Sequence, residues 1–174
     1  MIHETWPRVA AIHCTEGGEI GCVWMAYERD TDTVHLFDSC IFRCEVLAVI
    51  AEGLNARGRF IPVAWRTEDK AVSDDLLNRG VNMMVDECDD SDAMAEVVSR
   101  TIWERMRTGR FKVERRLSEW LEEAKGFQRA EGKVPKTGNP LMAATRHAMQ
   151  MLEHGRRPAS VGRRTNLYPK SCIV

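Results

Sequence analysis

The feature that most constrains the fold is the stretch from Arg8 to Cys40, in which apolar runs alternate with turn signals. Two segments, 16–18 (Glu-Gly-Gly) and 30–33 (Asp-Thr-Asp-Thr), allow the chain to reverse, because glycine accepts positive φ angles and short polar residues favour turns. The stretch therefore predicts an antiparallel meander of three strands, Arg8–Thr15, Ile20–Tyr27 and Val34–Phe37.

Helix and strand patterns alternate after the meander. Apolar residues at helical spacing predict helices at 42–56, 71–79, 92–107 and 115–129, and a last helix from Pro140 to just before Gly155. Shorter apolar runs predict strands at 60–65 and 81–85, with a brief extended segment at 111–113. A strand–helix–strand return implies parallel pairing through a right-handed crossover. The chain is thus predicted to be an α/β protein with a mixed sheet.

Two details concern individual side chains in these elements. Asn139 stands at a helix N-cap position and Pro140 in the first helical turn, as expected for a helix start. Four tryptophans lie in apolar patterns and are predicted to pack in the core: Trp24, Trp65, Trp103 and Trp120.

Composition bounds the class of protein. A length of 174 residues fits one domain with a sizeable core, and the net charge of −1 favours no polyanion partner for the chain as a whole. The six cysteines form no C-x-x-C pair and are predicted to be free thiols in a reducing cytoplasm. No run approaches the roughly 18 apolar residues of a membrane span, so no membrane partner is expected.

The distribution of charge is uneven. The last twenty residues contain no acid, and their arginines are candidates for contacting nucleic acid phosphates. A solvated chain end is the alternative interpretation of the same residues. The candidates are Arg156, Arg157, Arg163 and Arg164.

Four segments together resemble the nuclease domain of tailed-phage terminase large subunits, the DNA-packaging motors. The resemblance runs from about Arg8 to Leu152. The segments are YERDTDT at 27–33, PVAW at 62–65, MRTGRFKV at 106–113 and LMAATRHA at 141–148.

This resemblance implies a ribonuclease-H-like mixed sheet with helices on both faces, spanning residues 8–155. Residues 1–7 are then a lead-in and 156–174 a basic tail. The sequence has no phosphate-binding loop of the G-x-x-x-x-G-K-[ST] type, so the chain by itself is not expected to be a packaging motor. It is expected to be a separate domain, a fragment or a stand-alone relative in the cytoplasm of the host cell.

Nucleases of this class hold two divalent metal ions with clustered carboxylates. The resemblance places the first family acid on His13 and the second on Glu68 or Asp69. The third falls on Asn139 or Pro140, and proline offers no ligand. One acid of three remains, so metal-dependent cleavage is expected to be lost and no cofactor to be required.

Each of these positions has an alternative interpretation. His13 on a buried strand is either a hydrogen-bonded pocket histidine or a ligand of a softer ion such as zinc or manganese, together with Cys14, Glu16 or Glu68. Glu68 and Asp69 are either a remnant active site or a solvated pair at a helix start, where the helix dipole favours acids.

Two functions follow from these alternatives. The first is a phage- or prophage-derived domain that has lost cleavage and binds DNA along the old cleft or binds a protein, in a host defence or regulatory complex or in packaging. The second is an active metal-dependent DNA endonuclease that assembles a Mg²⁺ or Mn²⁺ site from Glu68, Asp69 and Asp38, with His13 beside them.

Overall fold

The computed structural model describes residues 2–43, 46–65, 70–85, 91–127, 134–135 and 138–159. Among them, six strands form one mixed sheet in the order β5-β4-β1-β2-β3-β6. The strands are β1 (Arg8–Cys14), β2 (Ile20–Glu28), β3 (Thr33–Phe42), β4 (Val63–Trp65), β5 (Met83–Val85) and β6 (Phe111–Val113). The helices are α1 (Leu47–Asn55), α2 (Lys70–Asn78), α3 (Asp92–Arg107), α4 (Ser118–Gly126) and α5 (Pro140–Gln150), followed by a 3₁₀ turn at Leu152–His154.

The meander predicted from the sequence forms the centre of this sheet. β1 pairs antiparallel with β2, and β2 pairs antiparallel with β3. β4 and β6 then add in parallel on either side, and β5 adds in parallel to β4. The α/β class and the mixed sheet are therefore confirmed.

β3 is longer than predicted. The sequence pattern ends the strand at Phe37, but β3 continues to Phe42 through a bulge that shifts the register between Trp24 and Met25 of β2. Because a bulge adds one residue to one strand, it breaks the simple alternation of apolar and polar side chains on which the prediction rested. The same extension delays α1, which begins at Leu47 rather than at the predicted residue 42.

Helices cover both faces of the sheet, as predicted. One face packs on α1 and α2, with Ile12, Trp24 and Leu54 among its buried residues. The other face packs on α4 and α5, with Trp120 and Leu141 among its buried residues. Successive strand residues point to opposite faces, so Ile12 and its neighbour Ala11 belong to different cores.

Two local features concern the start of α3 and the positions of the tryptophans. Ser91 caps α3, since its Oγ accepts a hydrogen bond from the Met94 backbone N–H at 3.2 Å. The prediction that Trp103 packs in the core is wrong, because Trp103 lies on the outer side of α3 and 63% of its surface is exposed. Trp24, Trp65 and Trp120 are buried as predicted.

The turn between β2 and β3 is fixed by one carboxylate. Asp32 has a φ of 52°, and its side chain accepts hydrogen bonds from Tyr27 Oη at 2.8 Å, Arg105 Nη2 at 2.8 Å and Arg110 Nη1 at 2.9 Å. Arg105 also donates to the Asp32 carbonyl at 2.6 Å. The end of α3 and the start of β6 are thereby joined to the meander.

The two ends of the described domain meet beside the first residue of β1. Arg8 and Arg156 form an isolated antiparallel bridge, with N–H to carbonyl distances of 2.8 and 2.9 Å. In the lead-in, the Trp6 ring stacks on His35 of β3 with a centroid separation of 4.4 Å. Within the described part of the chain, none of the helices combines the length and apolar character that crossing a bilayer requires.

Candidate functional site

The candidate site begins at His13, near the carboxyl end of β1. Its backbone is paired with Gly21 of β2. The side chain is partly buried and points to the α5 face, where its ring contacts the ring of His147 edge-on, with 5.5 Å between centroids. His147 is only 2% exposed. The first family position therefore holds one histidine packed against another.

The start of α5 lies against the same point of the sheet. A Cβ added to Gly21 would come within 2.4 Å of the Pro140 carbonyl carbon and 2.5 Å of its oxygen. Glycine at position 21 is thus required by the close approach of α5 to β2. Because Gly21 is the β2 partner of His13, the structure brings together His13 and Pro140, the residues on which the resemblance places the first and third family acids.

Glu123 of α4 supplies the cap of α5. Its Oε2 accepts hydrogen bonds from the backbone N–H groups of Leu141 at 3.0 Å and Met142 at 3.1 Å. Asn139 does occupy the N-cap position but makes no side-chain capping bond. The helix therefore starts where the sequence predicts, but the capping side chain comes from a different helix.

The environment of Glu123 has opposing effects on its carboxyl group. Burial raises the pKa of Glu123, and the hydrogen bonds from the Met142 and Leu141 backbone act in the lowering direction without outweighing it. The charges of Glu119 and Glu19 add to the rise. Arg43 binds both of those neighbours, at 3.0 Å to Glu119 and 3.3 Å to Glu19.

The second family position follows β4. Trp65, the last residue of β4, is paired with Ile12, so the chain leaves the sheet one residue from His13. Glu68 and Asp69 come next in the sequence and lie outside the described residues. Their assignment as remnant catalytic and metal-binding acids remains a prediction.

Asp38 is not brought to His13. It is paired with Trp24 across β2 and β3, and its Oδ2 accepts a hydrogen bond from Arg57 Nε at 2.9 Å. The Arg57 guanidinium in turn stacks 4.6 Å from the Trp24 ring centroid. Asp38 therefore belongs to the α1 face of the sheet, while His13 faces α5. This geometry does not favour Asp38 as a ligand in a site shared with His13.

The basic tail begins beside the other end of β1. Arg156 and Arg157 have exposed side chains, and Arg156 forms the backbone bridge with Arg8. Arg163 and Arg164 lie outside the described residues. A role of these arginines in binding nucleic acid remains a prediction.

Among the described residues, the groups around His13 do not fit a two-metal centre. Two-metal nucleases need several carboxylate oxygens at one point. Here one position is a histidine in contact with a second histidine, and the other is a proline. The described residues contain no group of three or more His, Cys, Asp or Glu side chains that could hold a metal ion.

Three residues of this region were missed by sequence reasoning. An isolated glycine within a strand pattern often marks a close approach of another backbone, and this signal could have identified Gly21. His147 lies two helical turns after Pro140, so the helical period could have placed both residues on one side of α5. Nothing in the local sequence indicates that Glu123 caps a helix seventeen residues further along, because that contact depends on tertiary packing.

No protein-family model and no curated protein matches the sequence. Solved structures do match it. The P22 large terminase nuclease domain superposes with a TM-score of 0.81 at 19% identity, covering 90% of this chain and 87% of that one. The nuclease domain of the large terminase of bacteriophage SPP1 gives 0.66 at 14% identity, covering 83% and 85%. The human cytomegalovirus terminase nuclease domain gives 0.56 at 10% identity, covering 84% and 83%.

Some of these similar domains hold metal ions. The SPP1 domain was determined with bound manganese, and the nuclease of thermophilic phage G20c with cobalt and with zinc. At these identities the comparison concerns the fold alone. The resemblance inferred from the sequence is confirmed at that level: the chain has the ribonuclease-H-like fold of terminase large-subunit nuclease domains.

Proposed function

We propose that this domain has lost the metal-dependent cleavage of the terminase nucleases and acts by binding, either to DNA along the old cleft or to a protein partner. The partner would belong to a packaging assembly or to a host defence or regulatory complex. The observation that supports this proposal is the contact of His13 with His147 beside Pro140, at the place where the resemblance expects two carboxylates.

The charge at this place explains why metal binding would be weak. A pair of Mg²⁺ ions carries four positive charges, and hard ions prefer oxygen ligands. Imidazole rings supply neither negative charge nor oxygen atoms, and Pro140 has no side-chain donor at all. Glu68 and Asp69 alone would leave half of that charge uncompensated.

The competing function is an active endonuclease with Mg²⁺ or Mn²⁺ held by Glu68 and Asp69. It is favoured by the metal-bound structures of the same fold. A plasmid-nicking assay with each ion separates the two functions. We expect no nicking by the wild type. Nicking that disappears in the Glu68→Ala, Asp69→Ala variant would show that the domain is an active nuclease.

Restoring the acids sharpens the assay. The double variant His13→Asp, Pro140→Asp is expected to gain measurable nicking, because both positions lie at Gly21. The double variant Cys14→Asp, Pro140→Asp is the matched control, since it adds the same two carboxylates but places the first one residue along β1, on the opposite face. Nicking gained equally by this control would contradict the placement of the lost site.

The binding part is tested by fluorescence anisotropy with a labelled duplex. Binding that weakens as salt is added, and that weakens when the tail arginines are changed to Glu, supports DNA as the partner. The salt dependence is expected because phosphate contacts release counterions. A domain that neither cuts nor binds the duplex leaves the protein partner as its function. The arginines to be changed to Glu are Arg156, Arg157, Arg163 and Arg164.

A further inference from the structure

Cys22 and Cys40 lie directly opposite each other on neighbouring antiparallel strands. Cys22 of β2 is the register partner of Cys40 of β3, and each thiol shifts the pKa of the other. Directly opposed residues in an antiparallel pair have Cα atoms about 4.5–5.5 Å apart. Disulfides bridge Cα separations of about 4.4–6.8 Å. Both thiols are free in this structure, so the backbone already has a spacing that a disulfide accepts.

The two thiols differ in access to solvent. Cys22 is fully buried in the core beneath α1, whereas Cys40 is partly exposed. A small oxidant arriving from solvent therefore reaches Cys40 first. Cys22 lies opposite Cys40 on the buried side of the pair. It is therefore placed to act as the second thiol, which attacks Cys40 after Cys40 has been oxidised.

The electrostatic surroundings reinforce this difference. The hydrogen bond from Cys22 lowers the pKa of Cys40, and the nearby Arg57 guanidinium acts in the same direction. Burial raises the pKa of Cys22 well above its usual value. Since the thiolate is the reactive form, Cys40 is the better nucleophile of the two. Arg57 is held in place by Asp38 and by the Trp24 ring.

We propose that Cys22 and Cys40 form an oxidisable thiol pair, in which a peroxide converts Cys40 to a sulfenic acid and Cys22 then closes a disulfide across β2 and β3. In the first step, with hydrogen peroxide, the Cys40 thiolate attacks one peroxide oxygen, the O–O bond breaks, and the other oxygen leaves as hydroxide, which takes up one proton to become water. In the second step the Cys22 sulfur attacks the Cys40 sulfur, the S–O bond breaks, and a second water leaves. Peroxide is reduced by two electrons in total, and the two thiols lose two hydrogens.

The exposed Cys14 provides an internal control. It lies at the end of β1, where burial raises its pKa, and its thiol is hydrogen-bonded only to the adjacent Thr15 carbonyl among the described residues. An oxidant that reacts only with the most exposed thiol would modify Cys14 and would not produce a disulfide between Cys22 and Cys40.

The test uses the full chain with its other cysteines changed to Ser. This variant is treated with hydrogen peroxide, the oxidant is removed, the chain is unfolded in denaturant with N-ethylmaleimide so that buried thiols also react, and its intact mass is measured. We expect the loss of two hydrogens and no maleimide addition, reversed by dithiothreitol. Two maleimides added after peroxide, or Cys40 oxidised further while Cys22 still accepts maleimide, would overturn the proposal. The residues changed are Cys14, Cys44, Cys88 and Cys172.

Peptide mapping of the unmodified chain keeps the test decisive if that variant does not fold. Cys14 and Cys22 share one tryptic peptide, so a glutamate-specific protease is added to cut at Glu16 and Glu19 between them. The proposal requires a crosslinked peptide containing Cys22 and Cys40. A crosslink from Cys40 to any other cysteine, or a Cys40→Ser chain in which Cys22 is still oxidised, contradicts it.

Discussion

The turn at Asp32 and the site at His13 stand at opposite ends of the meander, and they use charge in opposite ways. At the turn, one carboxylate accepts three side-chain hydrogen bonds from a tyrosine and two arginines. At the site, the positions where the resemblance expects carboxylates hold a histidine and a proline packed against the sheet. One carboxylate joins parts of the fold at the turn, whereas His13 and Pro140 offer no carboxylate at the site.

The difference teaches that the resemblance consists of two separable parts. The segments 27–33 and 106–113 contain Asp32 and Arg110, and Arg105 directly precedes the second segment; these three residues build the joint between the meander and α3. These matching segments therefore indicate how the strands and helices are joined. The chemistry depends on other positions, so a confirmed fold carries no information on whether the chemistry remains.

The largest effect is expected at the close approach of α5 to β2. Gly21→Ala places a Cβ within 2.6 Å of three atoms of Pro140, two of them backbone atoms that cannot rotate away. We expect a loss of about 3 kcal/mol in the free energy of unfolding, the upper part of the range for overpacking. Urea denaturation measures it. Gly17→Ala, whose added Cβ has only an ordinary 3.8 Å contact, is the matched control.

A Gly21→Ala variant as stable as the control would mean that α5 can move off the sheet. In that case His13 and Pro140 would not be held together. The contrast between the turn at Asp32 and the site at His13 would then lose its structural basis.

A smaller effect is expected at the turn. Asp32→Ala removes the acceptor of three hydrogen bonds, and its side chain is 40% exposed, so solvent weakens each interaction. We expect a loss of about 2 kcal/mol. Asp30→Ala, in the same turn, is the control. The hydrogen bond from Tyr27, followed by that from Arg105, lowers the pKa of Asp32.

The sign of the pH dependence follows from that direction. Because the folded pKa lies below the unfolded one, the contribution of Asp32 is present above the unfolded pKa and is lost as the pH falls through the folded value. The difference in stability between wild type and Asp32→Ala should therefore shrink on acidification. A difference that stays constant from neutral to acid pH would argue that the carboxylate charge is unimportant to the joint.

The smallest effect is expected at Glu123, and it tests whether the cap of α5 needs its charge. Glu123→Ala removes the acceptor of two backbone N–H groups, for a loss of about 1 kcal/mol. Glu123→Gln retains an oxygen acceptor and avoids burying a charge. At neutral pH the Gln variant should therefore match or slightly exceed the wild type.

Here the pH dependence runs in the opposite sense. Burial raises the folded pKa of Glu123 above the unfolded value, so its favourable contribution is fully present below the unfolded pKa and declines as the pH rises through the folded one. Any advantage of the Gln variant should vanish in acid. A Gln variant that is less stable than wild type at neutral pH would show that the cap depends on the negative charge.

The sequence predicted the framework of the molecule well. α3 was predicted with its observed bounds, and β1 and β2 differ from prediction by one residue each. These elements have clear apolar periods and recognisable ends, such as the cap at Ser91. β3 and α1 were misplaced together, because the bulge at Trp24 and Met25 changes the side-chain period where one element was taken to end and the other to begin.

The site was predicted less completely, for a physical reason. The resemblance places two family acids on His13 and Pro140, and the fold brings both of these residues to Gly21. The contacts of His13 with His147, and of Glu123 with α5, join residues from different helices and strands. Local sequence patterns report on periods and ends of single elements, so they carry no signal for such contacts.

The bridge between Arg8 and Arg156 has a consequence for how anything joined to this domain would be positioned. Both ends of the described fold leave from the first residue of β1, and His13 lies five residues along the same strand, about 17 Å away at the rise of an extended strand. Whatever the chain is connected to on either side is therefore anchored at one point. A short flexible linker from that point would keep an attached domain within reach of the His13 surface at high effective concentration.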